Sequence, residues 1–284
     1  MTRAAVRELL EQARRLEAVV SPALRELLPH TEHPDPPVRA AFTRLLWKTP
    51  CDATFARLRA MVASETHPEV LTAIAHALGR YIWSGMQMDE YLDEEFGFAE
   101  NVSSEQVTQA RRMLLTMYDN TDLPLETRRT ALCSLAFDPD EATISRIDAL
   151  ARSGDRASLI SALECMGRSG LRRWHETIRT CLESEDSEVV KAAVDAAGEA
   201  CLEAVETRVI ALTEHPDRRV MLAAVWALRN VACSPPGRRR LFALTGSSDP
   251  EVAAAARRAL VELEGLESEE DLERFPLRDG PEGV

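Results

Sequence analysis

Lysine is almost missing from this chain: of 34 basic residues only Lys48 and Lys191 are lysine, and the rest are arginine. Such a bias fits a GC-rich, bacterial coding sequence. Aromatic residues are only 5% of the chain and glycines number 12, which excludes a fold built on aromatic packing or glycine-rich turns. No apolar run approaches the roughly 20 residues needed to span a bilayer. The opening stretch MTRAAVRELLEQARRLEAVV is amphipathic and charged, without the apolar centre of a signal peptide. Six cysteines, at 51, 133, 165, 181, 201 and 233, form no CxxC pair and no compact disulfide spacing, which excludes a disulfide-stapled domain. They read as small buried side chains in a reducing compartment, and cytoplasmic localisation is expected. Also absent are GxSxG, a P-loop and GxGxxG. His30 and His33 stand three apart in a Pro-rich turn with no third ligand, so they read as capping or solvent-exposed residues. From these absences we expect no enzyme activity, no catalytic residues, no metal and no cofactor.

What is present is a repeat. In HPDRRVMLAAVWALRN, His215 to Asn230, the residues Val220, Ala224, Ala227 and Leu228 fall on one face of an α-helix. Asp217, three residues before Val220, is placed to accept the unpaired amides of the first turn. The same template reads from Val38, Val70, Thr127, Ser158, Val189 and Val252, with Asp35, Asp155, Asp186 and Asp249 in the capping place. The steps between these anchors are 32, 57, 31, 31, 31 and 32 residues. A period of this length marks an array whose units each bury their apolar face only against a neighbour. Where His67 occupies the capping place, Thr66 is expected to cap. The long step holds an insert, Gly85 to Val102, rich in acids.

The helix pattern predicts an opening helix over 3–18, a short helix from Pro22 to His30, and then helix pairs. The first unit's second helix runs from Asp35 to Trp47. The following pairs are Ala53–Ala63 with Pro68–Trp83, Ser104–Asp119 with Pro124–Phe137, and Glu141–Ser153 with Asp155–Arg168. Next come Leu171–Ser184 with Asp186–Ala200, Glu203–Thr213 with Asp217–Val231, and Pro236–Thr245 with Pro250–Leu263. The domain organisation expected is a helical array over 1–263, with capping helices in 1–30, an acidic insert over 85–103, and an acidic tail over 264–284.

DPEVAAAARRAL at Asp249 and DSEVVKAAVDAAG at Asp186 resemble HEAT repeats, in particular the short HEAT-like units of phycobilisome lyases. Several units depart from that pattern, having Leu71, Leu159, Val190 and Met221 where arginine usually follows the anchor. The resemblance implies an all-α, right-handed α-α superhelix of about seven helical hairpins, with the second helices lining a concave face. It implies protein binding first. A lyase or chaperone-like subunit acting on a tetrapyrrole protein, and a HEAT-type DNA glycosylase, are the alternatives it brings. For the latter, Glu164 and Asp195 with Trp226 are the faint candidates.

Charge is unevenly distributed. The formal net charge is −13, yet Tyr81–Ala110 holds seven acids without a basic residue and Glu262–Val284 holds nine acids against two arginines, leaving the body nearly neutral. A neutral body between acidic segments is a poor partner for a phosphate backbone, so nucleic acid is not expected. Helical geometry puts positions two, six and ten after each anchor on the outward ridge of the second helices. In the first four units that ridge carries Arg44, Lys48, Arg80, Arg129 and Arg168 against Glu164. In the last three, Lys191 and Arg258 face Asp195, Glu199 and Glu262. Phe137, Leu222 and Trp226 break the polar pattern, and a tryptophan beside a leucine reads either as an interface anchor or as core. The expected function is therefore a scaffold that binds a protein partner, with an acidic segment, on a ridge formed by Trp226, Leu222, Phe137, Arg44, Lys48, Arg80, Arg129 and Arg168.

Overall fold

The computed structural model describes residues 3–87, 102–232 and 234–265, and within them the regular structure is all helical. The helices are α1 (Arg3–Glu17), α2 (Leu24–Leu27), α3 (Pro36–Leu45), α4 (Asp52–Ser64), α5 (Pro68–Gln87), α6 (Ser104–Asp119), α7 (Leu125–Leu135) and α8 (Glu141–Ala151). They continue as α9 (Arg156–Ser169), α10 (His175–Cys181), α11 (Ser187–Glu199), α12 (Glu206–Leu212), α13 (Arg218–Val231), α14 (Pro235–Thr245) and α15 (Pro250–Glu264). Among the described residues no helix is long and apolar enough to cross a membrane.

The chain divides into two compact units, Met1–Ser145 and Arg146–Val284, with the division inside α8. In the first unit α1 lies on α3, α3 on α5 and α5 on α7, while α4 covers α5 and α6 covers α7. In the second, α9 packs on α11, α11 on α13 and α13 on α15, and α10, α12 and α14 each cover the helix that follows. This is a helical repeat fold: second helices stack on second helices, and each first helix shields its own partner. The anchors explain why. Val38, Val70, Thr127 and Val220 are fully buried, and Ser158, Val189 and Val252 are buried as well. Burying each valine contributes roughly 1.5 to 3 kcal/mol, so removing one repeat exposes its neighbour's stripe.

Helix starts follow the aspartates. Asp155, Asp186, Asp217 and Asp249 each accept first-turn amides of the helix they precede. The residue two places earlier in turn accepts the aspartate's own amide: Ser153, Ser184 and Ser247 by hydroxyl, His33 and His215 by Nδ1. Asp217 also binds Arg219, and this hydrogen bond, with the backbone amide, holds its carboxyl down to about 2. Asp35 departs from the expectation, for its side chain makes no cap bond. Pro36 and Pro37 follow it, and Pro37 has no amide to offer at the second helical position. Before α5, Glu65 stands two residues ahead of the capping place, where its carboxylate accepts the amides of Thr66 and His67.

A second device ties successive repeats together. Arg57 of α4 donates to Thr31 Oγ1 and to the Thr31 carbonyl, both at 2.8 Å, at the end of the preceding helical segment. Arg208 of α12 donates to the Leu182 carbonyl that ends α10, and Arg240 of α14 to Thr213 Oγ1 at the end of α12. Each guanidinium thus satisfies carbonyl-end groups and meets the negative pole of a helix.

Helix α5 extends four residues past Trp83, so Gly85–Gln87 of the expected insert are helical. The rest of the insert through residue 101, and the tail from residue 266, lie outside the described residues. The expected Pro22–His30 helix is a single turn, α2, followed by a 3-10 turn over Leu28–Glu32.

Candidate functional site

In the second unit the ridge of the second helices opens into a groove of about 290 Å³. Its floor is small side chains: Ala196 and Gly198 of α11, Ala223 and Ala227 of α13. Its walls are long ones: Glu164 and Arg168 of α9, Asp195 and Glu199 of α11, Trp226, Arg229 and Asn230 of α13. The floor is low because the helices approach closely at glycines. A Cβ on Gly167 would lie 2.5 Å from the Ala196 Cα, and one on Gly198 would lie 3.1 Å from the Ala227 Cα. Backbones that close leave no room for anything larger than alanine between them, and the neighbouring long side chains splay upward as walls.

Several wall charges are already paired. Lys191 binds Asp195 at 2.6 Å, and Arg229 binds Glu262 at 2.7 Å while lying 5.5 Å from the Trp226 ring centre. Asn230 donates to the Gly198 carbonyl at 2.9 Å, which pins its amide across the groove. Glu199 is different. It has neither hydrogen bond nor ion pair among the described residues, and its carboxyl is raised above 4.5. Glu199 still reaches solvent, but the first cause is desolvation by the surrounding groove walls; the charges of Asp195 and Glu164 add to it, and Arg168 opposes it. The half-buried Trp226 likewise has no acceptor for its indole N–H among the described residues.

The first unit presents the same ridge positions, filled differently. The Trp47 ring lies 5.0 Å from His76 and 5.4 Å from Phe137, and it touches the backbone at Gly79, where an added Cβ would come within 3.2 Å. Arg80 stacks on Trp83 at 4.0 Å and reaches Trp47 at 5.9 Å, and burial pulls its guanidinium down to about 10. These side chains pack on one another.

The expected ridge residues are therefore distributed over both units. Trp226 and Arg168 line the groove, and the half-buried Leu222 lies one turn before Trp226 on α13. Phe137 and Arg80 belong to the aromatic cluster. Arg44 is exposed, 3.7 Å from Glu69, and Arg129 is half-buried. Lys48 donates to the carbonyls of Glu17 and Val19 at the end of α1, where it closes the helix. Sequence reasoning missed Trp47, Trp83 and the glycines. Gly79, Gly167 and Gly198 all stand nine residues after an anchor, a pattern that was available.

No family model matches the chain, and no curated protein does. Among solved structures it is similar to an engineered protein at 19% identity over 90% of this chain and 75% of that one, with a TM-score of 0.41. It is similar to human deoxyhypusine hydroxylase at 13% identity, over 92% and 99% of the two chains, TM-score 0.40. A designed armadillo repeat protein matches at 15% identity over 85% and 100%, TM-score 0.31. At such values none of the three bears on activity or partner.

Proposed function

We propose that this chain is a HEAT-like, non-enzymatic scaffold that binds a segment of a partner protein along its second helices. The observation that carries this reading is the groove itself: an open channel across α9, α11 and α13 with Trp226 in its wall and a small-residue floor. Half-buried tryptophans beside polar rims are where interface energy concentrates. A scaffold of this kind is expected in the bacterial cytoplasm. To test it, the full chain and its Trp226→Ala and Leu222→Ala variants are used in parallel as cross-linking baits in the native host. A specific partner is one whose recovery drops with both variants while their melting curves stay near wild type. Equal recovery by all three baits rejects the reading.

The groove also gathers Glu164, Asp195 and Trp226, the trio on which a glycosylase reading depends. Asp195 is held by Lys191 and the walls lean acidic, which disfavours a phosphate backbone. Release of a modified base from alkylated DNA, lost in Glu164→Gln, would support that second reading.

A further inference from the structure

We propose that the groove of the second unit takes an arginine side chain from an extended, basic partner segment, with its guanidinium between Glu199 and Asn230 and its aliphatic stem along Trp226. The inference rests on the scaffold reading and specifies its ligand. It follows from what the groove leaves unfilled. Glu199 offers two carboxylate oxygens without a hydrogen-bond donor among the described residues; of the groove's own cations, Arg168 acts on it through its charge. Lys191 is spent on Asp195 and Arg229 on Glu262. Asn230, which lines the groove, uses its amide nitrogen on the Gly198 carbonyl, and its oxygen has no donor among the described residues, which leaves it as a second acceptor. Two acceptors on neighbouring helices match the planar fork of a guanidinium, which forms paired hydrogen bonds that a single ammonium does not. Arg229 already lies over the indole at 5.5 Å; the ring's other face accommodates a cation or its methylene stem, and its N–H remains for a peptide carbonyl. Extended backbone fits the geometry, because the walls come from three successive helices and the floor from alanine and glycine. A basic occupant reverses the acidic one expected from the ridge of the first four units.

The test is fluorescence anisotropy on the full chain with a labelled, amidated peptide alternating alanine and arginine. Matched peptides carry citrulline or glutamate in place of arginine. The arginine peptide should bind, and citrulline, which keeps the shape but not the charge, should weaken it. Glu199→Gln should lower affinity about tenfold, as expected for a hydrogen-bonded charge. Trp226→Ala should lower it by about the same factor or more. Glu185→Gln removes an equal charge at a residue exposed like Glu199 but outside the groove lining, and should change affinity less than about twofold. Equal losses in Glu199→Gln and Glu185→Gln would show attraction to net charge only and overturn the inference. Trp226-dependent binding of the glutamate peptide would overturn the basic ligand but keep the scaffold reading. No Trp226 dependence with any peptide, in variants that melt normally, would overturn both.

Discussion

The two compact units use one repeat to opposite ends. Position nine after the anchor is Trp47, Gly79 and Ala136 in the first unit, Gly167, Gly198, Arg229 and Val261 in the second. Position ten is Lys48, Arg80 and Phe137 in the first, Arg168, Glu199, Asn230 and Glu262 in the second. In the first unit the large rings pack together over the ridge, and Arg80 is stacked among them. In the second, glycine and alanine let the helices close up, and the ridge is left as a channel. Core positions cannot vary without losing the stack, whereas ridge positions can, so a repeat protein diversifies on the ridge.

The sharpest way to break the comparison is at the glycines. Gly167→Ala would put a methyl 2.5 Å from the Ala196 backbone, which cannot rotate away, so the helices must part. A loss of about 2 to 3 kcal/mol is expected in chemical denaturation, despite alanine's better helix propensity. Gly79→Ala meets the Ser134 side chain at 2.8 Å. That hydroxyl can turn, at the expense of its bond to the Ala75 carbonyl, but the Ser134 Cβ at 2.9 Å cannot and the Trp47 ring stands at 3.2 Å, so the two helices must shift slightly and a loss of about 1 to 2 kcal/mol, smaller than at Gly167, is expected. Gly198→Ala, at 3.1 Å, should fall near neutral, where propensity and crowding offset each other. If all three behave alike, close approach does not shape the groove.

Next in size are the arginine clamps, which the two units share. Arg57→Ala in the first and Arg208→Ala in the second should each cost about 1 to 2 kcal/mol, because each leaves a helix-end carbonyl group without its donor. A near-zero effect in one unit would show that its repeats are joined by apolar packing alone.

Much of this architecture was legible in the sequence, for a definite reason. The anchors and their aspartate caps depend only on a helix's own period and first turn, and they recur at fixed spacing; Asp35 failed where Pro37 removed an amide. The groove was half legible. Glu164, Asp195, Glu199, Trp226 and Asn230 were all on the expected ridge, but that ridge was read for net charge, which hides pairing. Lys48 was counted as a ridge cation although it closes α1. Trp47, and the division inside α8, depend on which faces of different helices meet, information that no single period contains.

The smallest effect concerns Glu199. Its folded carboxyl is raised by desolvation first and then by Asp195 and Glu164, against Arg168; Lys191 and Arg229, on the same helix and its neighbour, are paired with Asp195 and Glu262, and Arg156, Glu188, Arg218 and Arg219 stand at the N-terminal ends of the packed helices. A raised carboxyl destabilises the fold once pH climbs from the ordinary 4.5 through the raised value. Glu199→Gln should therefore melt slightly above wild type at pH 7 and coincide with it near pH 4. A variant less stable at pH 7 would mean that the carboxylate is satisfied within the chain.

The most direct test sets the two tryptophans side by side. Trp47→Ala removes a ring packed on His76, Phe137 and Gly79, and should lower stability by about 2 kcal/mol or more, seen as a fall of several degrees in Tm. Trp226→Ala should leave Tm near wild type and reduce arginine-peptide affinity by about tenfold or more. The reverse pattern, with Trp226→Ala melting early and peptide affinity unchanged, would make Trp226 a core residue and contradict the assignment of an open binding face to the second unit.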